Sequence, residues 1–131
     1  MLFSDSGVVK LSDFILDMRV SVGVIDPRVM QIASMYIPPE CWKEKKTCLK
    51  NDVWSLGISV IEMAEGKNPL ADCSLMEVRE IMLSDEPLRF THYGWSSELV
   101  DFVNRCVVKD VNERASVEEL LKVRNDMWDE R

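Results

Sequence analysis

The sequence has little of what metal and nucleophile sites are built from. Its 131 residues hold one histidine, His92, and four cysteines, Cys41, Cys48, Cys73 and Cys106. No two cysteines form a Cys-x-x-Cys pair, which argues against zinc and for reduced thiols. No cysteine carries a recognisable nucleophile motif with His92, which reads as an exposed loop histidine. Cys41 and Cys48 read as packing residues. Positive charge is also scarce: 16 Lys and Arg stand against 23 Asp and Glu, a formal charge of -7. Bulk electrostatics therefore disfavour nucleic acid and anionic membranes as partners. No apolar run approaches the ~20 residues of a membrane span. Residues 1–10 lack the basic start and apolar run of a signal peptide. A cytoplasmic location is expected. Internal repeats and low-complexity segments are absent too.

What is present suits one ordinary globular domain, with 47% apolar residues. Residues 1–12 read as the end of a hairpin, with Ser4-Asp5-Ser6-Gly7 as turn chemistry between two apolar pieces. Residues 13–37 have no sustained period and read as a long loop. Residues 52–65 are apolar on nearly every side, the pattern of a buried helix. Gly66 is its C-terminal cap candidate, and Pro69 prevents continuation. Ser74-Leu75-Met76-Glu77 and Ser116-Val117-Glu118-Glu119 are capping boxes. Trp95, Ser96 and Val100 give a hydrophobic staple without the box. These signals place helices near 74–84, 96–107 and 116–127. Trp42, Trp54 and Trp95 read as core or cap contacts, and residues 128–131 as a frayed end. The class is mainly α with a small β remnant.

Four segments then fall in order. Asp13-Phe14 follows the apolar strand Val8-Val9-Lys10-Leu11-Ser12. Pro38-Pro39-Glu40 comes next, then Asp52-Val53-Trp54-Ser55-Leu56-Gly57. Cys106-Val107-Val108-Lys109-Asp110 and Arg114 close the series. Their order and spacing resemble the C-terminal half of a eukaryotic protein kinase catalytic domain, over residues 1–124. The resemblance implies a kinase-like C-lobe fragment with a β-hairpin remnant and the N-lobe absent. It divides residues 1–131 into an activation segment, 13–40, and a helical subdomain, 41–127. Ile61-Glu62-Met63-Ala64-Glu65-Gly66-Lys67-Asn68-Pro69 is similar to the sterile-twenty-like kinases, in particular the hippo and germinal-centre branch. Ala71-Asp72, Asp101-Phe102-Val103 and Glu118-Glu119-Leu120-Leu121 fit the same group, with MAP-kinase kinases a close second.

The resemblance also implies roles. Asp13 matches the aspartate that binds the magnesium bridging the nucleotide phosphates. The second family ligand, an asparagine, would fall immediately before Met1, and the catalytic His-Arg-Asp further upstream. Leu2 matches the apolar floor under the adenine ring. Glu40 and Arg114 match a structural ion pair in which guanidinium offers a planar fork to a buried carboxylate. Asp52 matches an acceptor for the backbone of the His-Arg-Asp loop; without that loop it would be a buried acceptor lacking its donor.

Two segments depart from the family. Ile15 replaces the glycine of Asp-Phe-Gly, where a β-branched residue tolerates fewer backbone angles. Ile32, Ala33 and Ser34 stand where the branch carries Gly-Thr-Pro. Ser21 reads as an ordinary loop serine.

The expected function is that of a partial Ser/Thr kinase domain. Its complete relatives would transfer the γ-phosphate of ATP-magnesium to protein hydroxyls. The chain alone is expected to be inactive and to bind neither ATP nor magnesium. The alternative is a pseudokinase-type interaction or scaffold module. Partners would be protein substrates or signalling proteins. Self-association through an exposed core is expected near Trp54.

Overall fold

The structure is a computed structural model and describes residues 2–10, 27–44 and 47–122. The chain divides into two compact units, Met1–Ala33 and Ser34–Arg131.

The first unit opens with a hairpin. Strand β1 (Leu2–Phe3) pairs antiparallel with β2 (Val9–Lys10), Leu2 opposite Lys10 and Phe3 opposite Val9. Ser4 closes the turn. Its carbonyl accepts from the Gly7 amide at 2.9 Å, and its hydroxyl accepts from the Val8 amide at 3.0 Å. Helix α1 (Pro27–Ser34) corrects the reading of 13–37 as one long loop. Pro27 stands at the first helical position, where a missing N–H costs nothing. Val29, Met30, Ile32 and Ala33 share one face of this helix, a stripe only two turns long and too short to stand out in the sequence. Val29 and Ile32 are exposed, while Met30 and Ala33 are half-buried.

The second unit is helical. It contains α2 (Pro39–Glu44), α3 (Lys50–Glu65), α4 (Leu75–Leu83), α5 (Ser97–Cys106) and helical residues 117–122. Helix α3 packs on α5, and α2 on α4. The core joins Val53, Trp54, Ile58 and Ile61 of α3 to Val78 and Met82 of α4 and to Val103 and Cys106 of α5. The spacing of the α3 residues places them on one face. The expectation of a helix buried all round is thus corrected: Met63 is 57% exposed.

The end signals act where they were read. Gly66 caps α3 in the left-handed region (φ 73°), its N–H donating to the Glu62 carbonyl. Ser74 accepts from the Glu77 amide at 3.3 Å while its own amide donates to the Glu77 carboxylate at 2.7 Å. Ser116 and Glu119 repeat this at 3.2 and 2.7 Å. Ser96 accepts from the Leu99 amide without a returning glutamate.

The C-terminus of α4 is closed from a distance. Lys109 Nζ donates to the carbonyl of Ile81, to that of Ser84 at 2.8 Å and to the Ser84 hydroxyl at 3.2 Å. The Ile81 carbonyl also accepts from the Ser84 hydroxyl at 2.8 Å, and carbonyls in the last turn lack the backbone N–H that a continuing helix would supply. Burial holds the Lys109 ammonium below its usual range, with Lys43 adding to the effect and Asp85 and Glu86 opposing it. Lys109→Met keeps the apolar stem and removes the donor. It is expected to cost about 1–2 kcal/mol, read from urea unfolding; an unchanged midpoint would contradict the role of the ammonium.

Candidate functional site

The first cluster centres on Arg114, which is 1% exposed. Its Nη1 donates to Glu40 Oε1 at 2.7 Å and its Nη2 to Oε2 at 2.8 Å. Nη1 also donates to the Lys50 carbonyl at 3.0 Å, and Nε to the Val108 carbonyl at 2.9 Å. The guanidinium carbon lies 5.0 Å from the centre of the Trp54 ring, within cation–π range. Glu40 sits in the first turn of α2, where the helix dipole favours a carboxylate. One side chain thus ties the start of α2, the start of α3 and the 108–114 turn together. That turn is braced locally: the Asp110 carboxylate accepts from the Asn112 amide at 2.9 Å, and the Asp110 carbonyl from the Arg114 amide at 3.0 Å.

A second cluster holds residues 36–37 against α3. The Tyr36 hydroxyl donates to Glu62 Oε2, which also accepts from Asn68 Nδ2 at 3.0 Å. Burial raises the Tyr36 phenol above its usual range, and the Glu62 acceptor adds to this. The Tyr36 carbonyl accepts from the Ser55 hydroxyl at 3.0 Å, and the Ile37 carbonyl from Trp42 Nε1 at 3.3 Å. The sequence reading did not single out Tyr36, Glu62 or Asn68. A glutamate beside Ile61 in an apolar helix was the available signal.

A third cluster anchors the 85–95 loop. The Glu65 carboxylate accepts from the Thr91 amide at 2.6 Å, the Thr91 hydroxyl at 2.7 Å and the His92 amide at 2.9 Å. Burial alone would raise Glu65. The bonds from His92 and Thr91, with the nearby imidazole, more than reverse it and leave the carboxyl below its ordinary value. A lowered folded-state value means the stabilisation is complete above the unfolded glutamate value, about 4.3, and is lost as pH falls through the folded one. Protection of the Thr91 and His92 amides from hydrogen exchange is expected to fall over that range. Glu65→Ala should show the low protection already at neutral pH. Protection independent of pH and of the substitution would contradict the tether.

Other candidate residues are not brought together. Asp13, Ile15 and Ser21 lie outside the described residues. Leu2 is in β1, opposite Lys10. Asp52 is exposed in the first turn of α3, so it is not the buried orphan that was expected. The helix dipole suits a carboxylate there. Among the described residues no three of His, Cys, Asp and Glu gather to hold a metal ion.

Trp54 itself is 0% exposed; the exposed apolar residues nearest it in sequence are Leu49, just before α3, and Met63 within it. Trp54 Nε1 finds no acceptor among the described residues, so the ring works through its faces. Trp95 packs against Phe90, ring centres 5.6 Å apart. Cys48 is exposed rather than packed, and Cys41 is half-buried. Burial pushes the Cys106 thiol up to about 12, partly opposed by Arg114, so it is no nucleophile. His92 is exposed, as read. No described helix is long and apolar enough to cross a membrane.

Comparison with known proteins accounts for this arrangement. The family described as protein kinase domain matches residues 1–124. The chain is similar to the serine/threonine-protein kinase dst1 of Dictyostelium discoideum, 37% identical over 123 residues, which are 92% of this chain and 17% of that protein. It is similar to serine/threonine-protein kinase pakH of the same organism, 33% identical over 122 residues, 92% of this chain and 24% of that one. It is also similar to the serine/threonine-protein kinase hippo of Drosophila melanogaster, 32% identical over 123 residues, 93% of this chain and 18% of that one. The chain therefore spans less than a quarter of the length of these relatives. Hippo is the branch to which residues 61–69 pointed, and by a match running from the hairpin to the last described helix the chain belongs to the protein kinase domain family.

Proposed function

We propose that the chain is the helical, substrate-side portion of a sterile-twenty-like Ser/Thr kinase domain. The complete domain would transfer the ATP γ-phosphate to protein hydroxyls, with Asp13 as a magnesium ligand and Leu2 under the adenine. The observation that carries this reading is the bidentate Arg114–Glu40 pair, bridging 74 positions in the register of the family. That pair, with the Tyr36 cluster, holds residues 36–40 in a defined path beside α3. In this family that segment borders the substrate. Protein substrates and a cytoplasmic location follow from the same reading.

Residues 1–131 by themselves are proposed to be inactive. Phosphoryl transfer depends on positioning and charge stabilisation. The single histidine, His92, is followed by Tyr93-Gly94, so these residues contain no His-Arg-Asp. The test is a radiolabelled ATP assay of the purified chain with magnesium and a generic protein substrate. No transfer above the protein-free rate is expected; robust, ATP-dependent labelling would overturn the reading.

A pseudokinase-type interaction module is the second reading. Ile15 and Ala33 favour it, because both replace family residues within the chain itself. A coding sequence in which His-Arg-Asp and a following asparagine precede residue 1 would count against it.

A further inference from the structure

The cysteines divide into two kinds. Cys106 is buried and its thiol is held protonated, at about 12. Cys73 is half-buried, and burial, with Glu77 and Asp72, raises its thiol as well. Cys41 and Cys48 differ, because they share one side chain. Asn51 Nδ2 donates to Cys41 Sγ at 3.1 Å, and Cys48 Sγ donates to Asn51 Oδ1 at 3.1 Å. The same Oδ1 accepts from the Cys48 amide at 3.2 Å. Both sulfurs therefore touch the two ends of a single amide group. Cys48 is exposed and Cys41 half-buried. Reagents in solution reach the first, and the second waits beside it.

We propose that Cys41 and Cys48 are a peroxide-sensitive pair that closes to an intramolecular disulfide between α2 and the start of α3. Cys48 sulfur attacks hydrogen peroxide. An S–O bond forms, the O–O bond breaks, and one water leaves with the thiol proton. Cys41 sulfur then attacks the sulfenic sulfur of Cys48. The S–S bond forms, the S–O bond breaks, and a second water carries off the Cys41 proton. In sum, two thiols and one peroxide give one disulfide and two waters. This is the sequence expected of an accessible thiol next to a resolving one. Asn51 loses both sulfur contacts when the bond closes. The bond forms next to Glu40 in sequence and two residues before Lys50, both of which Arg114 holds. Oxidation thus bears on the anchor that positions residues 36–40.

The test uses the 131-residue chain, fully reduced and then treated with graded hydrogen peroxide. Free thiols are alkylated, the chain is digested with trypsin, and the peptides are weighed with and without reductant. Trypsin cuts after Lys43, Lys45 and Lys46, so the two cysteines fall on different peptides. The expected result is a linked Cys41–Cys48 peptide pair, lighter by two hydrogens, which separates on reduction. Cys73→Ser should leave the linkage unchanged, and Cys41→Ser should abolish it. Cys48 oxygenated while Cys41 stays alkylated would overturn the proposal. So would a Cys48–Cys48 link between two chains, or no loss of free thiol. Because the readout is the peptide pair itself, it is independent of any phosphotransfer result.

Discussion

Glu40→Ala is expected to lower the unfolding free energy by about 3–5 kcal/mol, the usual cost of stranding one member of a buried ion pair. The Arg114 side chain is 0% exposed and that of Glu40 11% exposed, so water cannot replace the lost carboxylate. The guanidinium would keep the Lys50 and Val108 carbonyls but no counter-charge. The chain carries its own control. Arg105 and Asp101 form an ion pair at 2.7 Å one helical turn apart, with side chains 49% and 50% exposed. Breaking that pair with Asp101→Ala should cost no more than about 0.5 kcal/mol. Arg114→Lys should be costly as well, since a point charge cannot fill the fork or stack on Trp54. Parallel urea titrations would decide. Equal losses for Glu40→Ala and Asp101→Ala would mean that the 0% exposure of Arg114 does not describe the molecule in solution.

Local signals in this chain were legible, and distant ones were legible only through family resemblance. The boxes at Ser74 and Ser116 and the cap at Gly66 involve residues three or four positions apart. Composition over such a window decides them, whatever lies beyond. The Glu40–Arg114 pair spans 74 positions, and no spacing rule joins two such charges. It was expected because both residues fall in register with kinase segments. The same resemblance assigned Asp52 its role. The family buries that carboxylate against its catalytic loop, whereas here it is exposed at the start of α3.

What remained hidden lacked both kinds of signal. Helix α1 has an apolar stripe of only two turns, too short for a periodicity to register, and half of it, Val29 and Ile32, is exposed. Glu62 and Glu65 looked like the polar positions of an apolar helix. Their meaning came from Tyr36, Asn68, Thr91 and His92, up to 27 positions away, which only the folded chain brings near. Lys109 read as part of a family string, while its work is to close a helix 25 to 28 residues earlier. Polar side chains that satisfy remote backbone groups leave almost no trace in a sequence, since their partners have no side-chain identity to read.

The second large effect is expected at Gly57, where α3 meets α5. A Cβ built there would lie 2.6 Å from Cys106 Cβ and 2.7 Å from Val107 Cγ1. Neither atom can step aside cheaply: one is fixed to the α5 backbone and the other belongs to a β-branched side chain with restricted rotation. Two terms compete in Gly57→Ala. Helix propensity favours alanine by about 1 kcal/mol, and overpacking a core contact costs about 1–3 kcal/mol. The second should win, leaving a net loss. Gly57→Val removes the propensity gain and adds two methyl groups, so a loss of about 3 kcal/mol or more is expected. Gly66 separates space from backbone. Its φ is 73° with nothing within 4 Å of an added Cβ, so Gly66→Ala should cost about 1–2 kcal/mol through conformation alone. Val107→Ala should then recover part of the Gly57→Ala loss and none of the Gly66→Ala loss, because only the first two sites touch. A Gly57→Ala variant more stable than the parent would place α3 and α5 further apart than these distances allow. Equal rescue at both glycines would trace the effect to the unfolded chain instead of to the crossing.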